Sequence, residues 1–133
     1  MFDYTFECVF KTNVKNKNGI IFTDEAFESM KSQVNEKYKT GFPIPLSIDS
    51  VKENLDLYNF STVNPENIIG YVKDLTKDNI LTCISDDKKE EFEKLLQEDY
   101  EPGYRITAEL CAQKEVFNVK IICFDMIRKD LKA

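Results

Sequence analysis

Ile68-Ile69-Gly70-Tyr71-Val72-Lys73-Asp74-Leu75-Thr76-Lys77-Asp78-Asn79-Ile80-Leu81-Thr82-Cys83-Ile84 sets two β-branched, apolar runs around the four polar residues Thr76 to Asn79, and that spacing reads as a β-hairpin. Upstream of it, residues 49–66 carry Asn and Ser, end in Asn64-Pro65 and yet hold Leu55, Leu57, Tyr58 and Phe60. They predict a long loop pinned by apolar side chains, a kind of segment that often carries function. In Phe42 to Ile48, Pro45 pushes Ile44 out of the helical region, and two missing backbone donors favour an extended strand at a sheet edge. Farther upstream Thr23 offers an N-cap oxygen, Asp24 and Glu25 suit the positive end of a helix, and Phe27, Met30, Val34 and Tyr38 share one helical face. Gly41 supplies a left-handed cap and Pro43 ends any continuation. Ile20-Ile21-Phe22 reads as a short strand after the Lys15 to Gly19 turn cluster, and Phe2, Tyr4, Phe6, Cys8 and Phe10 alternate with mostly polar residues as a half-buried strand.

Downstream, a second helix from about Asp86 to Asp99 buries Phe92, Leu95 and Leu96, and Pro102-Gly103 breaks it. Tyr104, Ile106, Ala108 and Leu110 alternate as a strand, and Val116 to Ile127 is apolar on both faces toward its end, as in a strand inside a sheet. The order β-β-α-β-β-β-α-β-β predicts an α+β fold: a mixed, largely antiparallel curled sheet or partial barrel with two packed helices, in one domain spanning residues 1–133.

The composition narrows the chemistry. With 24 acidic and 18 basic side chains the 133-residue chain carries −6, so its overall field repels phosphate and anionic lipid, and neither nucleic acid nor membrane is an expected partner. There is no His, which removes the usual general base, the Ser-His and Cys-His pairs and the commonest neutral metal ligand. Met1-Phe2-Asp3-Tyr4 runs straight into strand pattern without a basic n-region, so no signal peptide is expected, and Cys8, Cys83, Cys111 and Cys123 read as reduced, buried core thiols of a cytoplasmic or virion protein. They lack the close pairing of a structural zinc site, and four glycines leave no phosphate-cradling loop, so neither metal nor cofactor is expected. Sixteen aromatic residues, accompanied by only two Arg, read as core rather than as base-stacking platforms.

Two features stand out. Asp86, Asp87, Glu90, Glu91, Glu93, Glu98, Asp99 and Glu101 face only Lys88, Lys89 and Lys94, a local net charge of −5. One reading is the solvated face of an amphipathic helix, supported by a Glu90–Lys94 pair. The other is an acidic docking surface for a basic partner, with Asp87, Glu90 and Glu93 outward. Asp125 lies inside the apolar run Ile121 to Ile127, where a carboxylate needs Arg128, Arg105 or backbone N–H groups as partners, and a structural hydrogen bond accounts for it.

The order of Asn16-Lys17-Asn18-Gly19-Ile20-Ile21-Phe22-Thr23 before a helix, Pro43-Ile44-Pro45-Leu46, Ile68 to Leu75, and Val119-Lys120-Ile121-Ile122-Cys123-Phe124-Asp125-Met126-Ile127 resembles the bacteriophage prohead (head-maturation) protease family and its shortened phage relatives, over most of the chain from Lys17 onward. That family cleaves scaffold and coat proteins with a Ser on a late strand and a His near the end of an earlier one. This chain departs from it, since it lacks His, reads Leu46-Ser47-Ile48-Asp49-Ser50 after Pro45, and holds Thr107 but no Ser between Tyr104 and Leu110. No catalytic residue carries over. The resemblance implies a protease-like mixed β fold and a non-enzymatic phage or prophage protein that binds other virion proteins in the capsid or during head assembly, as an oligomer or on a lattice. The alternative is a phage accessory protein that binds and inhibits a host defence factor through the acidic surface, and Leu57, Tyr58 and Phe60 are further candidate anchors for either partner.

Overall fold

The structure, a computed structural model, describes residues 1–53, 55 and 60–131. Its frame is a six-stranded sheet of β1 (Phe2–Glu7), β2 (Ile44–Ser47), β3 (Ile68–Leu75), β4 (Asn79–Ile84), β5 (Tyr100–Leu110) and β6 (Val116–Arg128), in the order β1-β4-β3-β2-β6-β5. All neighbours are antiparallel except β2 and β6, which run parallel. The fold is therefore α+β with a mixed, curled, unclosed sheet, as the element order predicts.

The helix α1 (Asp24–Lys39) starts where Thr23 Oγ1 accepts the Ala26 amide at 3.0 Å, and Gly41 turns the chain out of it at φ 84°. Its Phe27, Met30 and Val34 enter the core with Leu46, Val72, Ile80, Phe124 and Met126. Burying such a side chain stabilises by about 1.5–3 kcal/mol. Tyr38, expected on that face, is exposed instead, tilted over Tyr71 beyond the end of the core. Gly70 sits where β3 passes so close to β4 that a Cβ would lie 2.1 Å from the Cys83 carbonyl oxygen.

The helix α3 (Lys89–Gln97) follows a single 3-10 turn, Asp86–Lys88, within the predicted limits. Phe92 meets the rings of Phe2, Tyr4 and Phe6 on β1, while α3 also packs on β5 at the opposite sheet edge. The sheet curls until its two edges approach, and α3 fills one end of the seam between them.

Several expectations are corrected. Residues 20–22 form no sheet strand: Ile21 makes only single bridges to Lys15 and Glu115. The proline segment is no edge strand, because β2 lies between β3 and β6. Its pairing with β6 involves only Leu46 and Ser47, beyond both prolines, so their missing donors do not interrupt that ladder. Pro102-Gly103 does not break the second helix. The chain turns at Asp99, with φ 61°, and Pro102 and Gly103 lie inside β5, an edge strand where proline is tolerated. Cys8, Cys83 and Cys123 are buried as expected, but Cys111 is only partly so, because it follows the exposed end of β5.

Candidate functional site

The segment after β2 is not a featureless loop. It begins with a helical turn, α2 (Asp49–Lys52), and ends with a 3-10 turn, Pro65–Asn67. Along β2 and β6 the alternation of side chains sends Leu46, Phe124 and Met126 to the apolar core and Ser47 and Asp125 to the other face. On that face lies a buried ionic cluster. Arg105 of β5 is 3% exposed, Asp125 of β6 2%, and Asp49 1%.

Arg105 Nε donates to Asp125 Oδ2 at 2.7 Å, and Nη2 donates to Asp125 Oδ1 at 2.8 Å and Asp49 Oδ2 at 3.0 Å. Nη1 donates to the carbonyls of Phe60 at 3.2 Å and Thr62 at 2.7 Å. A guanidinium has five N–H donors in a fixed fork, so these contacts use them all. Asp49 is held from several sides: Asn67 Nδ2 donates to its Oδ1 at 2.8 Å, the Asn64 amide to its Oδ2 at 3.3 Å, and its own amide donates to Ser47 Oγ at 2.8 Å. Asn67 also reaches Glu53 Oε2 at 3.0 Å. Among the described residues no buried side-chain nitrogen or oxygen lacks a partner.

Burial alone would raise the Asp49 carboxyl, but the hydrogen bonds from Asn67 and Arg105 outweigh it and hold the group below the usual carboxylate range. Burial likewise works against the charge on Arg105, and the bonds to Asp125 and Asp49 reverse this, so the guanidinium stays charged. The neighbouring Cys123 thiol is pushed up, by burial first and by Asp125 second, and stays protonated at neutral pH. The cluster thus offers neither a spare guanidinium donor nor a thiolate. What it does is tie residues 60–67 and α2 to the sheet. Ser47 is fully buried with its hydroxyl engaged, and Thr107 is exposed on β5.

The expected partner residues fall into two groups. Asp87, Glu90 and Glu93 are exposed on the 3-10 turn and α3, with no ion pair among the described residues, while Phe92 and Leu95 point inward. The predicted Glu90–Lys94 pair is not formed; the carboxylates that do pair are Asp86 with the N-terminal amine and Glu91 with Lys52 at 3.3 Å. Lys88 turns to the Glu66 carbonyl and Lys89 lies over the Phe2 ring at 6.0 Å, which leaves the carboxylates outward. Phe60 is 37% exposed, and its carbonyl serves Arg105. Leu57 and Tyr58 lie outside the described residues. The described end of the 49–66 segment is therefore held by polar contacts to Arg105 and Asp49.

Of the cluster, the sequence exposes Asp125 and names Arg105 among its partners, because a lone carboxylate in an apolar run demands one. It does not expose Asp49 or Asn67, since polar residues in an irregular segment carry no local mark of burial; the one available signal is that Asp49 directly follows the apolar run ending at Ile48. No family model matches the chain, and neither a curated protein nor a solved structure shows significant similarity to it.

Proposed function

We propose that this chain is a non-enzymatic domain that works by binding another protein through the acidic surface around Asp87, Glu90 and Glu93. The observation that carries the reading is the arrangement of charge on the Asp86–Gln97 segment: Asp87, Glu90 and Glu93 face solvent without an ion pair among the described residues, Lys88 turns to the Glu66 carbonyl and Lys89 lies over the Phe2 ring, and exposed Lys94 only partly offsets the negative charge. A predominantly acidic surface steers a basic partner and raises the association rate more than the affinity. The buried cluster supports the non-enzymatic part, because the Arg105 donors are all engaged, the Asp49 carboxyl is held low and the Cys123 thiol is pushed up. Among the described residues no helix is long and apolar enough to cross a membrane.

The likeness in segment order to prohead proteases supports a phage setting, with a capsid-associated or head-assembly protein as the partner. A host factor bound in the infected cell is the competing assignment and uses the same surface. Co-purification separates them: the first predicts that the protein stays with purified particles, the second that it remains in the cell lysate bound to a host protein. Once the partner is in hand, the triple variant Asp87→Asn, Glu90→Gln, Glu93→Gln is expected to bind it more weakly, and wild-type binding is expected to weaken with salt, since exposed charges are screened beyond about 8 Å at physiological ionic strength. Incubation with coat and scaffold proteins is expected to leave them intact. Specific cleavage that disappears on Ser47→Ala or Thr107→Ala contradicts the non-enzymatic reading.

A further inference from the structure

At the end of the seam not filled by α3, the residues after β1 stand away from β5 and leave a cleft of about 370 Å³, within the size range of small-ligand sites. Its inner wall is aromatic. Phe10 and Tyr104 have ring centroids 6.4 Å apart at an interplanar angle of 23°, and Phe22 lies 5.0 Å from Tyr104. Val9 and Val14, 71% and 53% exposed, extend the apolar lining to the rim.

The charge of this cleft opposes that of the whole molecule. Lys11, Lys15, Lys17 and Lys129 line it, against one carboxylate, Glu101, in a chain of net charge −6. Lys17 donates to the Asp130 carbonyl at 3.0 Å, whereas Lys11, Lys15 and Lys129 form no ion pair among the described residues. Four lysines around one cleft raise the local positive potential, and apolar walls concentrate their field in the space between.

The wall that carries the lysines is held in place. Asp24 accepts from Thr12 Oγ1 at 2.6 Å, from Asn13 Nδ2 at 2.8 Å and from Lys77, which together hold its carboxyl down at about 2. Asn16 Oδ1 accepts the amides of Asn18 at 2.9 Å and Ile20 at 3.1 Å. A wall already ordered loses little entropy when a ligand arrives.

We infer that this cleft binds a small anion with a flat aromatic body, of the nucleoside phosphate class, its ring against Phe10 and Tyr104 and its phosphates among Lys11, Lys15 and Lys129. A long polyanion fits less well, because the rest of the surface is acidic. An acidic peptide would satisfy the lysines but leave the aromatic wall without a complementary partner.

The test is calorimetric titration of the full chain, without divalent cations, with ATP, GTP, CTP and UTP, alongside tripolyphosphate, adenosine and a hexaglutamate peptide. At least one nucleotide is expected to bind, and at least about fivefold more tightly than tripolyphosphate, because stacking a base on an aromatic side chain contributes that much or more. Lys11→Gln with Lys15→Gln, both exposed, is expected to weaken the nucleotide about tenfold or more with the melting temperature unchanged. Phe10→Leu is expected to erase the preference for nucleotide over tripolyphosphate, and a thermal melt confirms that it folds. The inference is overturned if no nucleotide binds more tightly than about 1 mM, if tripolyphosphate binds as well as every nucleotide, or if hexaglutamate binds better than all four.

Discussion

Asp49 and Asp125 carry the same carboxylate as Asp87, but the two places could hardly differ more. The first pair is 1% and 2% exposed and shares one guanidinium, whereas Asp87, Glu90 and Glu93 stand in water with no partner among the described residues. A buried carboxylate has lost its hydration and tolerates no change in its partner, while an exposed one keeps its water and stays available to another molecule. Identical chemistry thus serves two ends. In the cluster it fixes geometry, and on the Asp86–Gln97 segment it contributes little to folding but much to the field outside.

The largest effect is expected at the centre of the cluster. Arg105→Met keeps much of the length and apolar body but leaves two buried carboxylates without a cation, which costs about 3–5 kcal/mol. Typical domain stabilities are about 5–15 kcal/mol, so the variant sits near the edge of unfolding in a urea titration. A loss within about 0.5 kcal/mol would mean that water reaches the cluster and that the contrast with the surface fails.

Next comes Asp49→Asn, expected to cost about 3 kcal/mol at neutral pH, because the buried guanidinium loses one of its two carboxylates and the new amide nitrogen meets a donor, Asn67 Nδ2 or Arg105, whichever way it turns. The penalty has a pH signature. The native Asp49 carboxyl is lowered, so its contribution is complete above the unfolded value of about 3.9 and is lost as pH falls through and below it. Wild-type and variant stabilities should therefore converge below about pH 4, and a gap independent of pH would show that packing, not ionisation, is responsible.

Asn67→Ala removes the donor shared by Asp49 and Glu53 and is expected to cost about 1–3 kcal/mol. Hydrogen exchange at the Asn64 and Asn67 amides, which bond to Asp49 and Asn64, should quicken more than exchange in the β3–β4 hairpin. At the bottom of the scale, neutralising Asp87, Glu90 and Glu93 together should leave stability within about 0.5 kcal/mol of wild type.

Which parts were legible in the sequence follows from how local each signal is. The alternation from Phe2, the spacing around Thr76 to Asn79 and the Thr23 cap all act within a few residues, and strands, hairpin and α1 appear where those patterns put them. The place of β2 depends instead on pairing with β6, some eighty residues later, which proline chemistry alone does not reveal. What ends α3 is hidden for a related reason. Asp99 adopts a left-handed conformation that non-glycine residues rarely announce, while Pro102 fits β5 only because that strand is an edge. In the cluster, Asp125 was conspicuous because its neighbours are apolar, whereas Asp49 and Asn67 were hidden among polar residues that look like an ordinary loop. The exposed candidates Asp87, Glu90 and Glu93 lie where helical periodicity places them, opposite Phe92 and Leu95.

The most direct test of the central claim is the affinity of the identified protein partner for wild type and for the Asp87→Asn, Glu90→Gln, Glu93→Gln variant, measured at low and at physiological salt with the melting temperature of each recorded. The account predicts equal melting temperatures, an affinity lower by at least about tenfold for the variant at low salt, and a difference that shrinks as salt screens the charges. Equal affinity of the two proteins at both salt concentrations would contradict it and reduce the acidic segment to a solvated helix face.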